Sequence, residues 1–517
     1  MFNEVEKSRR RVETRELGCD VSCDYILPDY LGEVRRILFT EAECIPLPAY
    51  VNGESAYLSG AVRFKMVYSD AENRLSCACF SADYDMSENY GDGLFAVSDK
   101  SAVASYSMRL LGPRKISAKA RVRSVLTSVS EASDTLCGDA MTLYEPELSY
   151  ATVSVRESVI REAAEREYAE EIVFLEGAIS DEVEIPYERA VSSVYECHAR
   201  EGEIRVSGEH TVSVIIKRPD EPAFTVKKAI PFSESFALEG AREDMSAFAE
   251  ARVLSLKISE NPTDTGVSVT AALIVEYCVF AEGNREVSLV CDGYLKEREV
   301  KTSYDTTSVE RLLAASSERE SAEFSVSLES LALSGAREIL LPVAEVYVKG
   351  VEPADTAINI VAEVRFSGIA CEINDDLTVS YHPLKYSGEK TFALPRVLWD
   401  ADAIRPEVYA SVVSADAIIE EDTLRLTAAL VIESHLYGRE EVRVLSSLVA
   451  TEEEIAPIPK NKVYVYYPDA EDTLFDVARK FHTTAERIAI DNALTESAFA
   501  KRGERDSLAS VERLIIK

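Results

Sequence analysis

Ten cysteines and five histidines are the residues of this 517-residue chain best suited to hold a metal or attack a carbonyl. Cys19 and Cys23 are separated by three residues, and Cys77 and Cys79 by one. A structural zinc site wants two well-spaced pairs, or a pair joined by histidines. No histidine lies near either cysteine pair, and alternation sets Cys77 and Cys79 on one side of a strand as small apolar residues. His198, His210, His382, His435 and His482 are scattered and read as structural or exposed. His482 follows Phe481 at the end of a short helical pattern, where an imidazolium favours the negative helix end. The acidic pairs Glu201/Glu203 and Asp375/Asp376 fall in turns and read as solvated loops. A nucleophile elbow, a Gly-rich phosphate loop and a zinc-protease helix are all missing. No catalytic residue, metal ligand or cofactor is assigned, and the chain reads as non-enzymatic.

The elements that would position any site are mostly strands. Three segments alternate apolar residues with period two: Ala56, Leu58, Gly60, Val62, Phe64, Met66; then Ile204, Val206, Gly208, Val212, Val214; then Ile358, Ile360, Ala362, Val364, Phe366. That spacing predicts half-buried antiparallel strands. A polar turn follows each, and a second strand runs back over Leu75–Phe80, Phe224–Ile230 and Leu377–Tyr381. A later string, Thr270–Glu276, recurs almost unchanged at Thr427–Glu433, and Ser117–Arg123 is its weaker first copy. A period near 150 residues with one strand order predicts three copies of a sandwich-like β domain. The stretch Val155 to Glu171, rich in Glu, Arg and Ala, fits a helix or an edge strand equally. Acidic, Ser-rich residues 128–139 and 316–323 mark the changes of copy, and Glu452-Glu453-Glu454 with Pro457 and Pro459 reads as a stiff linker.

Formal charge is −35. Residues 462–517 hold nine Lys/Arg against ten Asp/Glu, so the rest carries −34. This argues against nucleic acid as a partner and against an anionic membrane surface. No apolar run reaches the roughly 18–20 residues that span a bilayer. The first residues lack the apolar core of a secretory signal, so a cytoplasmic chain with reduced cysteines is expected.

The last 56 residues carry a different pattern. Val463 to Tyr467 alternate as a strand, and Pro468 ends it. Asp472 or Thr473 caps a helix, with Asp476 at capping-box spacing. Leu474, Val477, Ala478 and Phe481 form one apolar stripe. Thr483 starts a second helix that offers Ile488 and Ala489 to a core, and Leu514, Ile515 and Ile516 form a closing strand. This βααβ order, with Asp472, Thr473, Leu474, Phe475, Ala478, Phe481, Thr483, Thr484 and Asn492 in place, resembles the LysM domain. Glu471 stands where that family has a glycine, Ala470 where it has a proline, and a charged run, 501–506, follows the second helix. The resemblance implies a groove for N-acetyl sugars, whose two loops are altered here. The surface expected to bind a partner is Asp472, Thr473, Leu474, Phe475, Asp491, Asn492 and Leu494, with Phe475 as aromatic anchor.

The repeats, with an Arg-Lys-Ile-Ser-Ala-Lys-Ala strand at 114–120, resemble the SPOCS domains of spore coat proteins. Tandem SPOCS-type domains before one terminal LysM domain resemble the SipL-like spore coat morphogenetic proteins. The expected architecture is mainly β: a lead segment (1–25), SPOCS-type domains at 26–140, 150–315 and 322–450, an acidic linker (451–461) and a small α+β LysM-like domain (462–517). The resemblance implies a scaffold at the outer forespore surface, in the mother-cell cytoplasm, whose terminal domain docks the coat-base morphogenetic ATPase (SpoIVA-like) beside other coat proteins. The other reading is a peptidoglycan-binding wall or cortex module; no membrane insertion is expected.

Overall fold

The computed structural model describes residues 9–90, 94–132, 145–160, 164–173, 184–218, 222–263, 266–354, 357–374, 378–395, 404–456, 462–469, 472–494, 508 and 511–517. The Asp375/Asp376 turn, Pro457, Pro459, Ala470, Glu471, residues 133–139 and the run 501–506 lie outside them. The fold is mainly β, as expected, with many antiparallel sheets and, among the described residues, two short α-helices.

One strand plan recurs three times. The first unit comprises β1 (Arg9–Ile26), β2 (Arg36–Pro46), β3 (Tyr50–Asn52), β4 (Ser55–Ser69), β5 (Leu75–Asn89), β6 (Leu94–Gly112) and β7 (Lys115–Ala132). Its two sheets are β2-β4-β5, with β3 also on β4, and β1-β7-β6. The second unit has β8 (Glu147–Ile160), β9 (Ala164–Val173), β10 (Glu184–Arg200), β11 (Glu203–Lys217), β12 (Phe224–Ala237), β13 (Ser246–Thr263) and β14 (Gly266–Tyr294). Its sheets are β10-β11-β12 and β13-β14, with β8 and β9 sharing the other edge of β14. The third has β15 (Arg298–Ser327), β16 (Ala336–Pro353), β17 (Ala357–Ile373), β18 (Val379–Pro395), β19 (Ile404–Glu420) and β20 (Thr423–Glu454), in sheets β16-β17-β18 and β15-β20-β19.

In each unit the middle strand of the first sheet is one of the alternating segments, and the centre of the second is one of the shared Ala-rich strings. Their buried faces meet as the unit's core: Val62, Phe64 and Met66 against Ala118 and Val122, Val206 and Val212 against Leu273 and Val275, Val364 and Phe366 against Leu426, Ala428 and Leu430.

Several stretches differ from their sequence reading. Residues 9–25 of the lead segment lie in β1, which pairs with β7 along its whole length. Residues 155–160 and 164–171 fall in β8 and β9, the edge-strand alternative of the two readings. Residues 316–323 lie inside β15, paired with 427–434 of β20; their acidic, serine-rich composition is that of a strand with one face in water. The expected linker begins as the end of β20.

The central strands also report how the units meet. Along β4, β11 and β17 the burial alternates, then becomes continuous over the last few residues. A strand covered on both faces loses its alternation, and here the second cover is another unit. Phe39 and Val67, Tyr187 and Ile215, and Leu340 and Ile369 are cross-strand pairs at equivalent places, and all six belong to one buried cluster shared by the three first sheets. A bulge interrupts β2, β10 and β16 at this junction. Each pair of units is joined directly. Tyr187 Oη donates to Glu41 at 2.6 Å, the Leu341 amide donates to Thr225 Oγ1 at 3.0 Å, and Arg36 Nη1 bonds His382 Nδ1 at 3.0 Å.

β14, β15 and β20, at 29, 30 and 32 residues, are about twice as long as most other strands of the chain. Their far halves, with β8, leave the sandwiches as two ribbons, β8–β14 and β15–β20. Val153, Leu289, Val309 and Val442, then Val290, Leu295, Leu445 and Leu448, fill the space between them. At the root of this layer Glu282 is fully buried. It takes Arg156 at 2.9 Å, His435 Nδ1 at 2.5 Å and Tyr437 Oη at 3.0 Å. Burial opposes its charge, but the His435 hydrogen bond and the Arg156 cation prevail and hold the carboxyl at about 2.

Candidate docking site

The residues after the ribbons fold as β21 (Tyr464–Tyr466), α1 (Leu474–Lys480), α2 (Ala485–Asp491) and β22 (Leu514–Ile516), with β21 and β22 antiparallel. Leu474, Val477, Ala478, Ile488, Leu514 and Ile516 are its buried core. Thr473 caps α1: its hydroxyl accepts from the Asp476 amide at 3.1 Å, and the Asp476 carboxylate accepts from the Thr473 amide at 3.3 Å. Thr484, not Thr483, caps α2, accepting from the Arg487 amide at 3.0 Å. Both helices end in the same bonding pattern. The amides of His482 and Thr483 donate to Arg479 and Ala478, and those of Ala493 and Leu494 to Ile490 and Ala489. This turn needs a left-handed residue, and His482 and Ala493 supply it at φ 50° without being glycine.

The seven residues expected to bind a partner divide by environment. Leu474 is core. Asn492 stitches α2 to β22: its amide donates to the Ile488 and Ile515 carbonyls, both at 2.7 Å, and its oxygen accepts from the Ile515 amide at 2.6 Å. Asp491 pairs with Arg487 at 3.3 Å, and Leu494 packs half-buried on the core. Asp472 accepts from the Asp469 amide at 2.9 Å and from Tyr466 Oη at 2.8 Å, bonds that hold its carboxyl below the usual range. Its carbonyl also accepts from the buried Leu508 amide at 3.2 Å, which ties Leu508 to the start of α1.

Phe475 is half-buried and meets a residue far away in sequence. Tyr294, the last residue of β14, packs edge-on against its ring at 5.2 Å, and the Tyr294 hydroxyl donates to the Thr483 carbonyl at 2.6 Å. Beside it Arg479 pairs with Asp292 at 2.7 Å, and Asp292 also accepts from Tyr304 Oη at 2.8 Å. The small unit is therefore seated on the ribbon tip. Nothing in the sequence around Tyr294 signals this, because its partner comes some 180 residues later. The outward side of β21 stays uncovered: Val463, Val465 and Tyr467 are 60%, 54% and 66% exposed, and Ile515 pairs with Val465.

The residues weighed for chemistry are placed structurally. Cys19 and Cys23 point into the first unit's core. Cys77 and Cys79 share a strand face; Cys77 touches the central cluster and Cys79 is exposed. His210 is enclosed by Tyr168, Phe232 and Tyr277. A cleft of about 680 Å³ lies between the first and third units. Three of its polar side chains are tied within the protein: Tyr347 to Glu345 at 2.7 Å, Arg365 to Glu363 at 2.9 Å and Tyr106 to the Thr40 carbonyl at 2.7 Å. Among the described residues no group of three or more His, Cys, Asp or Glu is placed to hold a metal.

No curated protein and no solved structure matches the chain. Residues 185–260, which form β10, β11, β12 and most of β13, match the family described as SipL, SPOCS domain. That part of the second unit is thus similar to a domain of SipL-like, spore-coat-associated proteins.

Proposed function

We propose that the chain is a non-enzymatic scaffold of the endospore coat. In this reading all three β units are SPOCS-type domains. The terminal LysM-like unit docks the coat-base morphogenetic ATPase at the outer forespore surface, in the mother cell. The observation that carries the reading is the pairing of a SPOCS match in the second unit with a strand–helix–helix–strand unit held out on the ribbon tip. The three-unit body serves as a rigid spacer: three sandwiches with a shared junction do not move independently. Other coat proteins bind its acidic surface, which steers basic patches towards it. Peptidoglycan is the less favoured ligand, because Glu471 and Ala470 replace the glycine and proline of the family's first sugar loop. The test is a pull-down of purified coat-base ATPase on the full chain and on Phe475→Ala. Binding that is lost or at least tenfold weaker in the variant is expected; equal binding removes Phe475 from the docking surface.

A further inference from the structure

We infer that the ribbon tip caps the docking face of the terminal unit, so that Tyr294 competes with the incoming partner for Phe475. This rests on the docking reading above. Tyr294 is 3% exposed, and what covers it includes Phe475 and the carbonyl of Thr483. The tip is preset for the contact. Asp292 Oδ1 is held by Tyr304 Oη and by the Gly293 amide, both at 2.8 Å, which aims Oδ2 at Arg479. Val300 of the neighbouring ribbon packs on the same cluster. A partner that anchors on the Phe475 ring therefore has to displace Tyr294.

The contact is of a size that can open. Besides the packing of Tyr294 and Val300 on the cluster, the described residues join the tip through one edge-on aromatic pair, one hydrogen bond and one ion pair whose arginine is 42% exposed, where solvent weakens the attraction. It closes readily because only residues 455–463 join β20 to β21, and so short a connection keeps the two surfaces at high effective concentration. When the competent form is a minority, apparent affinity falls by that fraction. A cap closed about nine-tenths of the time weakens binding about tenfold. The chain would then bind weakly alone and firmly where partner is concentrated, as on a surface being coated.

The experiment measures the dissociation constant of purified coat-base ATPase for the full chain, Tyr294→Phe, Tyr294→Ala and Arg479→Ala. Tyr294→Ala is expected to bind about tenfold tighter, with Arg479→Ala and Tyr294→Phe between it and the parent. Arg479 is a surface residue, so its variant keeps the test valid if Tyr294→Ala fails to fold. Unchanged binding in all variants overturns the cap and leaves the docking reading standing. Weaker binding overturns it by making the tip part of the site. Absence of binding in every form overturns the docking reading and the cap with it.

Discussion

Ser59-Gly60 and Ser207-Gly208 recur because the middle of the first sheet in the first two units has no room for a side chain there. A Cβ on Gly60 would stand 2.5 Å from the Ile45 carbonyl oxygen and 2.8 Å from Tyr84 Oη; one on Gly208 would strike the Ser193 carbonyl and lie 2.7 Å from the Phe232 ring. Tyr84 and Phe232 are the cross-strand partners, rings that cover a bare glycine. In the third unit the position is Ala362 and its partner is Lys390, so the ring and the glycine are absent together. Gly208→Ala is expected to cost about 1–3 kcal/mol by overpacking, read from the urea midpoint. Ala493→Gly is expected to act the other way, stabilising the terminal unit by about 1 kcal/mol because glycine holds φ 50° without strain; amide exchange in α2 reads it.

His210 carries a pH prediction at the same scale. Burial pushes its pKa from 6.5 down to about 4. Ser192 Oγ lies 2.8 Å from Nδ1, Tyr277 Oη lies 3.3 Å from Nε2, and Tyr277 continues through Tyr168 to Glu234. Since Glu234 as carboxylate only accepts, the chain of donors runs from Ser192 to Glu234 with His210 neutral. Below pH 6.5 the unfolded chain binds a proton that the folded one refuses, so stability falls as pH drops from about 6.5 to about 4. Urea midpoints across that window should flatten in His210→Phe.

At the scale of elements, alternation made the central strands legible. Glu/Arg/Ala-rich edge strands were not, since one wet face gives β8, β9 and β15 the composition of a helix or a boundary. The capping box at Thr473 and the apolar stripe of α1 were also readable, being local. Where β8, β14 and β20 converge, the buried Arg156–Glu282–His435–Tyr437 group joins two units. Arg156→Met leaves the Glu282 carboxylate buried beside His435 and Tyr437 without its strongest cation, a loss of about 3–5 kcal/mol. Adding Glu282→Leu should recover much of it, and thermal unfolding of the single and double variants checks this. Glu282 acts at lower pH than His210: its contribution is present above about 4.5 and lost as pH falls towards 2.

Over the whole molecule, neither the junction of three first sheets nor the seat of the terminal unit on Tyr294 was foreseeable, because both join residues 116 to 346 positions apart. The acidic surface, by contrast, followed from composition, and it suits a body that repels its own copies and receives basic partners. On the proposed function this body holds a protein-docking unit and turns over no substrate. The most direct measurement is a pull-down from sporulating cells with the full chain and with a chain lacking residues 462–517. The coat-base ATPase should be recovered by the first and lost from the second; equal recovery by both would contradict the proposal.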